Sequence, residues 1–143
     1  MEMRILITGS REWTSVALIE RALRHEIGSV PFDQVVLAQG GARGADACAH
    51  KAAVRLDISD YTFPANWSDE GRAAGHLRNQ RMLTEFEPTL VLAFKSNLDL
   101  ALLRGGTEDM IRRALTAGVR VKWCSGSSSL VSILNAPQMA GVL

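Results

Sequence analysis

Cysteine is nearly absent: Cys48 and Cys124 are the only two in 143 residues, far apart and with no histidine at metal-ligand spacing around them. A disulfide framework is thereby excluded and no zinc site is suggested, so both are expected as buried, reduced thiols. An excess of one charge is also missing, since 16 Lys and Arg stand against 15 Asp and Glu, a formal charge of +1. The broad electrostatic footprint of a nucleic-acid or anionic-membrane binder is therefore absent, and any anionic ligand must be held locally. No apolar run approaches the ~20 residues of a membrane span. Met1 leads into Ile5-Leu6-Ile7 without a signal-peptide layout, which predicts a cytoplasmic protein that does not enter a membrane. There is no internal repeat, no Gly-Lys-Ser/Thr of a Walker loop and no strict dinucleotide-binding glycine fingerprint.

What is present is the composition of an ordinary soluble domain, 47% hydrophobic and 22% charged, in a length that suits one core. Short aliphatic, β-branched runs at 3–8, 34–38, 57–63, 89–94 and 119–123 read as strands. Between them Val16, Ile19, Leu23 and Ile27 recur at helical spacing, with Thr14 or Ser15 as N-cap and Gly28 as the stop. Ala45, Cys48, Ala49, Ala52, Ala53 and Leu56 form a second helical face of mostly small side chains, able to sit close to a sheet. Two further helices are predicted over 76–83 and 108–117. Strand and helix alternate, and right-handed crossovers make that order an α/β three-layer sandwich around a central, mostly parallel sheet of five strands or slightly more. Residues 1–124 are expected to form this domain. Residues 125–143 are a Ser-rich connection and an apolar tail without a domain of its own, in which Leu130 to Leu134 would dock as a last helix or cover a partner.

In such a sheet, ligands bind outside the carboxyl ends of the strands. Three loops there have a suitable character. Gly9, Ser10 and Arg11 combine close backbone approach, a hydroxyl and a guanidinium fork. Gly40, Gly41, Arg43 and Gly44 precede the second helix and offer backbone N–H groups as an anion cradle. Gly105, Gly106 and Thr107 do the same before the last helix. Three such loops favour a phosphate-bearing ligand over three empty tight turns. Asp46 would complement the helix dipole or accept hydrogen bonds from ribose hydroxyls, and Trp13 and Trp67 each pack or stack on a base. His25, His50 and His76 share no metal-ligand spacing and are expected in solvated or capping roles; no metal site or cofactor is indicated.

The segments Ile5-Leu6-Ile7-Thr8-Gly9-Ser10-Arg11, Gly40 to Asp46, Phe63-Pro64-Ala65-Asn66-Trp67, Ala74 to Met82 and Gly106-Thr107-Glu108-Asp109-Met110 together resemble the YspA-like, YpsA-related branch of the SLOG superfamily. The resemblance spans residues 3 to about 122 and implies a Rossmann-like, SLOG-like nucleotide-binding domain. It also implies a bacterial or actinobacteriophage source and a nucleoside monophosphate or ADP-ribose-like ligand, bound in order to sense or sequester a signal. Arg11, Arg43 and Arg78 would be counter-charges, with Asn79 beside them. LOG phosphoribohydrolases of the same superfamily cleave nucleotide N-glycosidic bonds with Arg-Lys-x-x-Met and Pro-Gly-Gly-x-Gly-Thr-x-x-Glu segments. Arg78-Asn79-Gln80-Arg81-Met82 matches the first at Arg and Met, whereas Met110 stands where the second has its Glu. As a phosphoribohydrolase, the alternative reading, the chain would use Arg78 with Asp109 or Glu108 as catalytic residues. A DprA-like single-strand nucleic-acid role would need a stripe from Arg72, Arg78, Arg81, Arg104, Arg112 and Arg113, and the near-zero net charge argues against it. LOG-like relatives pair through helices flanking the pocket, which implies a homodimer or larger assembly.

Overall fold

The computed structural model describes residues 2–127 and 129–133. The aliphatic run around Ile5 forms β1 (Met3–Gly9), followed by α1 (Val16–Ile27), β2 (Val35–Gln39), α2 (Ala45–Leu56) and β3 (Ser59–Thr62). A short α3 (Trp67–Glu70) and a single 3-10 turn lead into α4 (Ala74–Arg81). Then come β4 (Leu90–Phe94), α5 (Gly106–Thr116), β5 (Arg120–Cys124) and β6 (Val131–Ile133). The six strands lie in the order β3-β2-β1-β4-β5-β6, the first five parallel and β6 antiparallel to β5.

Strand alternation divides the core in two. Ile5, Ile7, Leu37, Leu92 and Phe94 pack under α1 and α2, while Leu6, Ala38, Val91, Ala93 and Val121 pack with α5 and the residues after α4. The alanine face of α2 lets it lie close to the sheet, with Ala45, Ala49 and Ala52 fully buried. β1 thus has one neighbour, β2, reached over one face and another, β4, reached over the other face. The reversal of strand order at β1 and β4 opens a crevice at their carboxyl ends.

Several elements differ from the sequence expectation. β3 begins at Ser59 because Asp57 adopts a left-handed conformation (φ 56°) that caps α2. The stretch before His76 is helical from Trp67, capped by the Asn66 side chain, which accepts from the Asp69 N–H at 3.3 Å. α4 widens into a π-type turn over Met82–Phe86, ended by Glu87 in the left-handed region. Residues 131–133, expected to dock as a last helix or to cover a partner, form the edge strand β6. The open edge of β5 offers unpaired backbone groups, and Ile133 opposite Val121 adds a buried β-branched side chain. Leu134 lies outside the described residues. Both cysteines are free and buried, as expected. Among the described residues no helix is long and apolar enough to cross a membrane.

Candidate functional site

The loops after β1, β2 and β4 converge on the crevice, held by glycines at close approaches. A Cβ on Gly9 would fall on the Phe94 carbonyl oxygen and 2.6 Å from the Ala45 Cβ, so β1, β4 and the start of α2 meet only over glycine. Gly44 (φ 79°) lies against the backbone of Ser10 and Arg11 in the same way. Ser10 knits the loops together: its N–H donates to the Phe94 carbonyl and its own carbonyl accepts the Ala45 N–H, both at 2.9 Å. Its hydroxyl oxygen accepts the Glu12 N–H at 3.0 Å.

The loop after β2 is not the open cradle expected from its glycines. The Gly40 and Ala42 N–H groups both donate to Oδ2 of Asp46 at 3.2 Å, and the Gly41 N–H donates to Oε1 of Gln39. A buried amide must find a partner, and here side chains of the protein supply it. Burial pushes the Asp46 carboxyl above the ordinary carboxylate range, although the Ala42 amide, Arg78, the Gly40 amide and Arg11 each pull it back. Its Oδ1 makes no hydrogen bond among the described residues.

Arg78 crosses this loop from α4. Its Nη1 donates to the carbonyl oxygens of Gly40 and Phe63, and its Nε donates to Oδ1 of Asn79 at 3.2 Å. Burial holds its guanidinium below its usual range, opposed by Asp46 and reinforced by Arg11 and Arg81. It remains a cation, as arginine does in proteins. Asn79 is buried and its Nδ2 donates at 3.0 Å to the Gly106 carbonyl and to Oδ2 of Asp109, tying α4 to the start of α5.

The two acids expected at the ligand are turned inward. Glu108 is completely buried, its oxygens 2.7 and 2.9 Å from Lys95 Nζ, and Oε2 accepts the Asp99 N–H. Asp109 accepts from Asn79 and from Nε of Arg113 at 2.8 Å. Neither lines the crevice. The tryptophans part company: Trp13 is buried with its ring centroid 5.5 Å from that of Phe94, which removes it as a stacking platform, while Trp67 is 53% exposed on the crevice wall.

The crevice comprises two adjoining parts, of about 630 and 400 Å³, that share Arg11, Ala42, Trp67 and Arg78. Gly40, Gly41 and Arg43 line the first; Gly9, Ser10, Asp46, Asn79, Gly106 and Thr107 line the second. Gly44 and Gly105 line neither part; Gly44 lies against Ser10 and Arg11, and Gly105 against the Glu108 side chain. Arg43 is spanned by an exposed ion pair with Glu12 at 3.2 Å, of the kind that contributes little. Arg72, His76, Lys95 and Arg104 also line the second part. Lys95 escaped the sequence reading, although its place one residue beyond β4 is the signal that would have found it. Among the described residues Arg11, Arg72 and Arg104 are exposed and make no hydrogen bond or ion pair. The remainder of the suggested arginine stripe is engaged internally: Arg81 with Glu70, Arg112 with the Leu100 and Leu102 carbonyls, and Arg113 with Asp109.

A model of the family described as YAcAr: YspA, cpYpsA-related SLOG family matches residues 3–69. The chain is 34% identical over 123 residues to Gene 61 protein of Mycobacterium phage D29, covering 82% of this chain and 93% of that relative. Its fold is similar to the X-ray structure of DNA processing protein A (DprA) from Streptococcus pneumoniae, with a TM-score of 0.64 at 16% identity. That match covers 88% of this chain and 51% of the other, so the chain spans about half the length of that structure.

Proposed function

The chain belongs to the YspA, cpYpsA-related SLOG family, and from that premise we propose that its crevice binds a nucleotide or nucleotide-derived ligand, a nucleoside monophosphate or an ADP-ribose-like molecule, so as to sense or sequester it. The observation that carries the reading is the set of cleft arginines without internal partners, Arg11, Arg72 and Arg104, around the Gly106-Thr107 turn. Unpaired guanidiniums at one crevice are the local anion site that a chain of formal charge +1 needs. Arg78, fixed by carbonyls, supplies a positioned charge in the shared middle of the cleft. The free Oδ1 of Asp46 suits a ribose hydroxyl, and the exposed face of Trp67 suits a base. Gly9 and Gly44 serve by letting backbones approach, Gly40, Gly41 and Gly105 by leaving room for the side chains of Arg78, Thr62 and Glu108, and Ser10 by joining the loops.

One observation favours a second reading, hydrolysis of a nucleotide N-glycosidic bond. Asp46 is a carboxyl with a raised proton affinity in the same cleft as Arg78, a combination found at acid–base centres. In that reading Asp46 takes the part first given to Glu108 or Asp109. The experiment that decides mixes the protein at stoichiometric ratio with nucleoside monophosphates, NAD, ADP-ribose and cyclic nucleotides, filters, and identifies free and retained molecules by mass spectrometry. Intact retained nucleotide supports binding; free base with ribose phosphate supports hydrolysis; no retention and no product sinks both. A cytoplasmic homodimer or larger assembly completes the proposal, with Leu77 and Leu103 as exposed apolar contacts. Sedimentation as a monomer would refute the assembly.

A further inference from the structure

His76, the third residue of α4, sits on the wall of the second part of the cleft with a third of its side chain exposed. Its Nδ1 lies 3.6 Å from Oδ1 of Asp109, whose side chain is 9% exposed. That carboxylate cannot swing away, because Oδ2 is held by Asn79 at 3.0 Å and Arg113 at 2.8 Å. The two nitrogens of an imidazole occupy opposite edges of the ring. A ring that turns Nδ1 toward Asp109 therefore turns Nε2 away from it.

We propose that His76 is an anion-binding side chain of the cleft and that Asp109 is its positioning residue. The imidazolium Nε2–H donates to an oxygen of a phosphate-like group lodged beside Arg72, Arg104 and the Gly106-Thr107 turn. This deepens the nucleotide reading but rests only on the cleft's being an anion site. The ring's charged surroundings are mixed. Asp109 and Arg113 come from α5, Arg78 from α4, Arg72 from the turn before it, and Lys95 and Arg104 from the β4–α5 connection; Arg11, Glu12 and Asp46 stand across the cleft. Lys95 is matched by Glu108, and Arg113 by Asp109. A neutral ring with its proton on Nδ1, the nitrogen nearer Asp109, would present a lone pair at Nε2, which repels an anionic oxygen, so the imidazolium is the form that binds the anion. The anion is held more tightly as the pH falls.

Sulfate is the probe, since it stays fully ionised across the range and does not depend on nucleotide recognition. Its dissociation constant is read from the amide NMR shifts of Gly106 and Thr107 at about pH 6 and about pH 8. The wild type is expected to bind about tenfold more tightly at the lower pH, the scale of one charge-assisted hydrogen bond. H76Q, which keeps a polar side chain, flattens that ratio to near one, and D109N flattens it likewise while melting cooperatively. An unchanged ratio in H76Q, or cleft amides that do not respond to sulfate, overturns the proposal. An unchanged ratio in D109N overturns the role of Asp109. If sulfate behaves as expected while every nucleotide fails to be retained, the nucleotide reading falls and the His76 site stands.

Discussion

Asp46 and Arg78 grip one residue from opposite sides: Oδ2 of Asp46 accepts the Gly40 N–H at 3.2 Å, and Nη1 of Arg78 donates to the Gly40 carbonyl oxygen. A Cβ on Gly40 would fall on that Nη1 and lie 2.5 Å from Cζ. Glycine here makes room for an arginine rather than for a ligand. The loop after β2 is therefore a preassembled wall whose charge comes from side chains, and its variants should separate stability from binding.

Because the folded Asp46 binds its proton more tightly than an unfolded aspartate does, ionising it disfavours the folded state. Its contribution to stability is present below the ordinary aspartate range, near pH 4, and is lost as the pH rises through the higher folded value. D46N, a neutral mimic able to accept the same amides, is expected to melt higher than wild type at pH 7, with the difference closing as the pH approaches about 4. Thermal melts across that range check it, and a lower melting temperature at pH 7 would show that the charge itself holds the loop. Nucleotide retention is expected to fall in the same variant.

E108Q removes one charge of a pair whose acid is fully buried and leaves Lys95 without its counter-ion. A loss of about 3 kcal/mol is expected from denaturant unfolding. Replacing both members, K95M with E108M, should recover most of that loss, because the uncompensated charge is gone. If the single and double variants are equally unstable, packing of the Glu108 side chain against Gly105 outweighs its charge.

The two tryptophans near the cleft should answer in opposite ways. W13A is expected to lose about 3 to 4 kcal/mol of stability by emptying the contact with Phe94. W67A should change stability by less than about 0.5 kcal/mol yet weaken AMP binding by about 1 kcal/mol or more through lost stacking. Equal AMP affinity in W67A and wild type, by calorimetry, would remove the base from that wall.

R72A and R104A are each expected to weaken AMP binding about tenfold, as the loss of one charge-assisted hydrogen bond does. Each should also make that binding less sensitive to salt. Neither arginine has an internal partner among the described residues, so the melting temperature should stay put. R113A is the contrast, since it strips a buried carboxylate of its 2.8 Å partner and should destabilise α5.

The fold was legible wherever local pattern and burial agree. The Ile5-Leu6-Ile7 stretch of β1 and the whole of β4 are buried on both faces and carry no polar residue, and the periodic helices α1 and α5 announce themselves by spacing. β6 was not legible because Val131, Ser132 and Ile133 owe their extended state to the edge of β5, a partner supplied from elsewhere in the chain. The two tryptophans look alike in sequence, each beside a glycine-rich turn, and only packing against Phe94 sets Trp13 apart.

By itself the sequence determined the order of strands and helices, the glycines at the strand ends and hence the place of the crevice, since these depend on backbone preference and on hydrophobic period. Tertiary structure decided which polar groups remain free to meet a ligand. Asp46 occupies amides that glycines alone would leave open, Glu108 and Asp109 turn to Lys95 and Arg113, and His76 gains a carboxylate from another helix. Asn79 and Asp109 stand 30 residues apart in the chain and 3.0 Å apart in space. Hydrogen bonds and ion pairs act only over a few ångströms, so availability is a property of distance in the folded chain, which residue order alone does not carry.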